Sequence, residues 1–261
     1  MEPWGPLADG SADDHELAAR LATLAGATLL DLRSSLGFAD PRALRDRGDQ
    51  IAHRQLLDEL ARLRPDDAVL SEEDDGSRHR DDGADRLSTS RVWIVDPLDG
   101  TREFGEQGRS DWAVHVALCT DGEPLVGAVA LPALGITLST ASPPVTPALD
   151  GRTPRVIVSR TRPPPAALRI ADALGAMLVE MGSAGAKAMA VVRGDADVYA
   201  HSGGQYEWDS CAPVAVARAA GLWCSRLDGS PLRYANADPR LPDLLICRPE
   251  LAEASIAAAG F

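Results

Sequence analysis

Lysine is nearly absent from this chain of 261 residues: Lys187 is the only one, and arginine carries the rest of the positive charge. Aromatic residues are scarce as well, at 4%. Four cysteines lie far apart with no Cys-x-x-Cys pair, so no metal-knuckle or redox motif is formed and reduced, buried thiols are expected. No apolar run reaches the ~18 residues that a membrane span needs. The start, Met1-Glu2-Pro3-Trp4-Gly5, lacks the basic stretch and apolar block of an export signal, so a cytoplasmic location with no membrane partner is expected. Basic charge is in deficit, 26 Lys+Arg against 39 Asp+Glu, for a net charge of −13. Such a surface repels nucleic acid. It would repel a phosphorylated metabolite too, unless metal ions and local arginines reverse the sign at one site.

What remains is an ordinary globular composition, 45% hydrophobic and 25% charged, with no internal repeat. Leu17, Leu21, Leu24, Ala25, Leu29 and Leu32 recur at helical spacing from Asp13 to about Ser35, behind N-cap candidates at Ser11 to Asp14. Gly37 to Gly48 reads as a loop, and a second helix is expected from Asp49 to about Leu63. Short strands are expected at Ala68–Leu70 and Arg91–Asp96. Between them, the charged tract from Asp74 to Ser90 reads as a solvated loop, or as a flap over a site. Runs at Trp112–Cys119, Leu125–Leu131 and Ile136–Ser139, with an Asp121-Gly122 turn, argue for antiparallel sheet. The stretch Ser142–Pro154 holds four prolines and marks the expected boundary between an α+β part, 1–145, and an α/β part, 146–261, of one compact unit. Beyond it, strands at 156–159, 177–181, 198–200 and 244–247 alternate with helices at 164–174, 185–192, 208–220 and 250–259.

The sharpest feature is Asp96-Pro97-Leu98-Asp99-Gly100-Thr101. A buried-type strand delivers Asp96, Pro97 stiffens the turn, and Asp99 returns within one tight loop. Two carboxylates so close repel each other at neutral pH, and a divalent cation relieves that repulsion; oxygen ligands of this kind suit Mg²⁺. Alone, the hexapeptide is also a good structural turn. Its company points to chemistry: Glu72-Glu73 follows a strand, Asp49 opens the second expected helix, and Trp208-Asp209 opens another. Acidic residues at element ends can converge on one sheet edge, and helix starts tolerate carboxylates.

In this order the four blocks, ending in Trp208-Asp209-Ser210-Cys211-Ala212, resemble the metal-dependent, lithium-sensitive phosphatases of the inositol monophosphatase superfamily. The resemblance implies a layered α-β-α-β-α sandwich and Mg²⁺-dependent hydrolysis of a phosphate monoester. Two or three Mg²⁺ per site, inhibition by Li⁺ and a homodimer belong to the same expectation. It places Glu72, Asp96 and the Leu98 carbonyl on one metal, and Asp96, Asp99 and Asp209 on a second, with Glu72 sharing a weaker third. Asp49 and Thr101 would orient and deprotonate the attacking water, supported by Glu73, while Gly100, Thr101 and Asp209 would border the substrate.

Two further segments bear on the substrate. Gly182-Ser183-Ala184-Gly185-Ala186-Lys187 leads from strand to helix, where small residues and a helix N-terminus favour an anion; Ser183 and Lys187 are candidate contacts, and a plain turn is the alternative. Ser159-Arg160-Thr161-Arg162 places two guanidinium groups at a strand end, and Arg is the natural fork for a second phosphate. A solvated loop is the plainer reading. With Ser159, Arg160 and Arg162, the segment resembles a loop of the superfamily branch that hydrolyses 3'-phosphoadenosine 5'-phosphate (PAP). Ser202 stands seven residues before Asp209, where the inositol-specific branch carries an acidic residue. The expected reaction is therefore removal of the 3'-phosphate of PAP to give AMP, clearing an inhibitory by-product of sulfate assimilation. Hydrolysis of inositol 1-phosphate, or of sugar phosphates including fructose 1,6-bisphosphate, is the alternative.

Other classes fit less well. A haloacid-dehalogenase-type site spaces its aspartates two apart rather than three, and a P-loop needs Gly-Lys-Ser/Thr where this chain has Ala186-Lys187-Ala188. A non-catalytic sensor would have no use for Asp49 and Thr101. His115, Trp93, Trp112 and Trp208 read as structural residues or site wall.

Overall fold

Two helices come first among the described residues, each set by an aspartate at its start. Asp13 caps α1 (Asp14–Leu36) by accepting the Glu16 N–H at 2.8 Å. Asp40 caps α2 (Pro41–Leu63) by accepting from Arg42 and Ala43, and Pro41 takes the first helical position, where no donor is lost. The expected loop up to Gly48 is therefore mostly helix, and Asp49 lies inside α2 rather than at its start. Gly48 does not break the helix because it is a contact point: a Cβ there would meet Phe104 Cε1 at 2.8 Å and Leu98 Cδ2 at 3.0 Å. The computed structural model describes residues 13–73 and 86–260, so Ser11 and most of the 74–90 tract lie outside the described residues.

The first sheet contains β1 (Ala68–Ser71), β2 (Arg91–Asp99), β3 (Ala113–Thr120), β4 (Glu123–Leu131) and β5 (Ile136–Ser139), in that spatial order. β1 and β2 are parallel and the other pairs antiparallel, as the alternation with turns predicts. A single helical turn, α3 (Thr101–Phe104), follows β2. Residues 140–154 hold no helix, and their only strand-like pairing is an isolated bridge, Ser139 to Ser142. The second sheet is ordered β7-β6-β8-β10-β9, from β6 (Arg155–Ser159), β7 (Met177–Met181), β8 (Val198–Tyr206), β9 (Trp223–Ser225) and β10 (Arg240–Cys247). It is mixed: β6 runs parallel to β7 and β8, and β10 antiparallel to β8 and β9. β8 is longer than expected because Gly203 and Gly204, at φ +106° and +91°, carry it on. Helices α4 (Pro165–Leu174), α5 (Ala184–Val192), α6 (Glu207–Ala219) and α7 (Ala252–Ala259) complete the chain.

Side-chain alternation along the strands builds the layers. On β2, Trp93 and Val95 face α1 and α2, while Val92 and Ile94 face a middle layer with Met189 of α5 and Val214 of α6. On the second sheet, Ile157, Tyr199 and Ile246 face that same layer, and Val156, Val198 and Leu245 face α4 and α7. The order is α1/α2, sheet, α5/α6, sheet, α4/α7, which is the layered α-β-α-β-α sandwich expected. Cys119, Cys211 and Cys247 are buried and, with half-buried Cys224, remain free thiols. No helix among the described residues is long and apolar enough to cross a membrane.

Close packing of α6 on β4 depends on Gly127, where a Cβ would stand 2.6 Å from Ala215 Cβ and 2.7 Å from the Ala212 carbonyl oxygen. Gly127→Val should cost about 1–3 kcal/mol of overpacking, read as a lower urea midpoint. An unchanged midpoint would mean that α6 does not bear on the sheet there.

Candidate active site

Asp96 and Asp99 are three residues apart, so a regular strand would point them to opposite faces. The β2–β3 ladder is irregular between them: Asp96 faces His115 and Asp99 faces Ala113, three steps on β2 against two on β3. This bulge resets the alternation and turns both carboxylates toward the middle layer. Gly100 then adopts φ +82°, and a Cβ on it would stand 2.9 Å from Ser183 Cβ, so glycine is required twice over. Asp209 arrives from the first turn of α6, its Oδ2 accepting the Tyr206 N–H at 2.7 Å. One carboxylate oxygen from each of Asp96, Asp99 and Asp209 lies within 4.8 Å of the others. Glu72, one residue past β1, hydrogen-bonds Asp96.

Hard carboxylate oxygens at this spacing are the donor set that a divalent cation such as Mg²⁺ takes. The backbone adds one more oxygen. The Leu98 carbonyl lies in the same turn and accepts the Thr101 hydroxyl at 3.0 Å. Asp49 faces that hydroxyl from within α2, as an alternative acceptor for its one proton. Glu73 is exposed beside Glu72, and its charge acts on Asp49.

Mutual repulsion dominates the electrostatics. Burial and the charges of Glu72, Asp99 and Asp209 hold Asp96 well above the usual carboxylate range. Glu72 is exposed, but the partial desolvation of its carboxyl and the charges of Asp209, Asp99 and Glu73 push it to about 7. Burial, Glu73, Glu72 and Asp46 push Asp49 to about 7, against the Thr101 hydrogen bond. Burial and Asp99 raise Asp209 to about 6.

Asp99 departs in the other direction. Burial favours its neutral form, but His115, Ser183 and Lys187 outweigh burial and hold it at about 2. Its oxygens accept the N–H groups of Ala184 at 3.0 Å and Gly185 at 2.6 Å, and the Ser183 hydroxyl. The carboxylate thus sits on the positive end of α5.

His115, read from the sequence as a satisfied sheet histidine, is satisfied at one ring nitrogen only and bears on the site with the other. Its Nδ1 meets the Trp208 carbonyl oxygen at 2.9 Å, and its Nε2 lies 3.2 Å from Asp99. Burial opposes its charge, and Asp99 more than compensates, so its pKa is raised. Gly185 makes room for it: a Cβ there would stand 1.9 Å from Nε2.

The expected substrate contacts divide. Lys187 is buried, with Nζ on the Ser183 carbonyl at 2.5 Å and the Gly182 carbonyl at 3.3 Å, and 5.3 Å from the Tyr199 ring centre. It supports the turn from below and adds positive charge near Asp99, so the ammonium expected to meet the substrate is buried on backbone carbonyls instead. Ser183 is likewise committed, donating to Asp99 while its oxygen accepts the Ala186 N–H at 2.9 Å. Arg160 reaches back to the first sheet's turn, pairing with Glu103 at 2.7 Å and Glu106 at 2.9 Å through Nε and Nη2. Arg162 is exposed, and Ser159 Oγ accepts its N–H at 3.4 Å. Two residues that local sequence does not flag hold this region: Glu103, against which Gly182 packs, and Asp111, which accepts the Gly182 N–H at 2.6 Å.

The chain matches the inositol monophosphatase family over residues 31–145 and 149–259. It is 51% identical over 251 residues to a 3'-phosphoadenosine 5'-phosphate phosphatase of Mycobacterium leprae, covering 92% of this chain and 90% of that protein. It is 32% identical over 196 residues to the 3'(2'),5'-bisphosphate nucleotidase CysQ of Escherichia coli K12, covering 71% and 77%. Among solved structures, inositol monophosphatase II of Staphylococcus aureus superposes with a TM-score of 0.75 at 22% identity, over 94% of this chain and 95% of that one. At that identity the likeness concerns the fold.

Raised carboxylates make the folded, metal-free site bind more protons than the unfolded chain between about pH 4 and 7. Their contribution to stability is therefore lost as pH rises through that window, and a cation that takes the protons' place should restore it. The stabilisation by Mg²⁺ relative to EDTA, read as a shift in melting temperature, should be larger at pH 7.5 than at pH 5. A shift that is equal at both, or larger at pH 5, would contradict the proton-loaded cluster.

Proposed function

The chain belongs to the inositol monophosphatase family, and on that premise we propose that it is a Mg²⁺-dependent phosphatase that converts PAP to AMP and inorganic phosphate. The convergence of Asp96, Asp99 and Asp209 beside the Asp49–Thr101 pair carries the reaction class. The substrate rests on the relatives named for it and on the arginine-bearing loop after β6. Two or three Mg²⁺ per site, inhibition by Li⁺, a homodimer, a cytoplasmic location and a place in sulfate assimilation belong to the same proposal.

Glu72, Asp96, Asp99, Asp209 and the Leu98 carbonyl would hold the cations. When bound, these supply Lewis acidity and lower the pKa of a nearby water toward neutrality. The residues of the chain do the rest. The Thr101 hydroxyl has one proton to give. Donated to Leu98, as here at 3.0 Å, it leaves the hydroxyl oxygen able to accept from a water. Donated to Asp49, it frees the Leu98 carbonyl as a ligand oxygen. Asp49, with a pKa of about 7, can take up a proton near neutrality, which suits a base acting through Thr101. Gly100 and Thr101 open α3 with unpaired N–H groups able to face phosphate oxygens. Arg160 would meet a second phosphate, held in place by Glu103 and Glu106.

Phosphate release from PAP, inositol 1-phosphate and fructose 1,6-bisphosphate should all be lost in EDTA. With Mg²⁺, kcat/KM for PAP should exceed the others at least tenfold, about 1.4 kcal/mol of transition-state preference. Asp96→Asn should reduce turnover by at least a thousandfold while far-UV circular dichroism is unchanged. Activity that persists in EDTA or in Asp96→Asn would overturn the metal assignment, and equal rates on all three substrates would overturn the substrate.

A further inference from the structure

Among the aromatic residues described, only Tyr206 and Trp223 are exposed, at 39% and 42%. Trp223 lies on β9, the edge strand of the second sheet, which carries no site residue. Tyr206 ends β8, and its backbone N–H holds Asp209 at 2.7 Å, so its ring projects from the residue that anchors the third carboxylate of the cluster. That ring lies flat on Trp208, with centroids 4.6 Å apart and planes 4° from parallel. Trp208 is half-buried against the middle layer, and its carbonyl oxygen meets His115 Nδ1 at 2.9 Å. Across the ladder Arg240 pairs with Tyr206. The strand before the ring is bare: a Cβ on Gly203 or Gly204 would meet nothing within 4 Å.

An exposed tyrosine backed by a tryptophan is a flat aromatic surface, and its own backbone N–H ties it to the third carboxylate of the cluster. We propose that the Tyr206–Trp208 pair is the platform on which the substrate's nucleobase stacks, an inference that rests on the nucleotidase reading above. A base laid on Tyr206 would extend the stack by one ring while the 3'-phosphate occupies the carboxylate cluster. Stacking uses the π-face that every base has. Such a platform separates nucleotides from inositol and sugar phosphates, which have no aromatic face, while tolerating a change of base. The lack of an acidic residue at Ser202 fits a site that does not grip ring hydroxyls.

The test compares PAP with ribose 3,5-bisphosphate, the same bisphosphate without its base. In Tyr206→Ala and Tyr206→Leu, the preference for PAP over the base-free compound, as a ratio of kcat/KM, should fall about tenfold or more. Tyr206→Phe and Tyr206→Trp should keep most of it, because the ring and not the hydroxyl makes the platform. Replacing adenine by guanine in the substrate should change wild-type kcat/KM by less than about threefold. A ratio unchanged in Tyr206→Ala, while wild type still prefers PAP over inositol 1-phosphate, would overturn the platform and leave the nucleotidase reading standing. A wild-type enzyme that does not distinguish PAP from inositol 1-phosphate would overturn that reading, and the platform with it.

Discussion

Repulsion among crowded carboxylates at the carboxyl end of β2 is the constraint that the rest of the structure answers to. Two carboxylates about 4 Å apart repel by roughly 4 kcal/mol at an effective dielectric near 20. Asp96, Asp99 and Asp209 bring carboxylate oxygens within 4.8 Å of one another, and Glu72 and Asp49 add to the charge. An arrangement this unfavourable persists only where surrounding structure fixes it and where protons or a bound cation relieve it. The backbone supplies the fixing. A bulge brings two aspartates to one face, a glycine in the left-handed region closes the turn, and a packed helix delivers the third.

The cluster is asymmetric, and its asymmetry has a cause. Asp99 alone is held deprotonated, because the start of α5, the Ser183 hydroxyl, His115 and buried Lys187 all act on it. Its partners are pushed the other way by burial and by one another. One carboxylate is therefore a permanent anion to which a first cation can be drawn, while the others exchange protons for metal. The middle helical layer builds both halves of this arrangement, since α5 stabilises Asp99 and α6 carries Asp209.

Much of this was legible in the sequence. Asp96-Pro97-Leu98-Asp99-Gly100-Thr101 announces a strand, a stiff turn and paired carboxylates in local chemistry alone, and the four blocks together resemble one family. What the sequence could not disclose depends on register and burial. His115 looks like one more strand residue until the β2–β3 ladder sets it opposite Asp96 and turns it to Asp99. Lys187 looks like a cation aimed at a substrate anion until packing folds it under the Gly182-Ser183 turn. Gly48 reads as loop because glycine breaks an isolated helix; here it is the close approach between α2 and Phe104 that selects it. Arg160 was visible as a cation at a strand end, whereas Glu103 and Glu106, which hold it, come from the other sheet's turn.

Exchange of protons for metal is best followed by calorimetric titration of the metal-free protein with Mg²⁺ at pH 6.5, in two buffers of different ionisation enthalpy. Net proton release to the buffer is expected, since carboxylates with pKa values of about 6 to 7 must ionise to bind the cation. Mg²⁺ binding with no proton release would mean that the carboxylates are already ionised and their repulsion is met by other means. No binding at all would contradict the metal site itself.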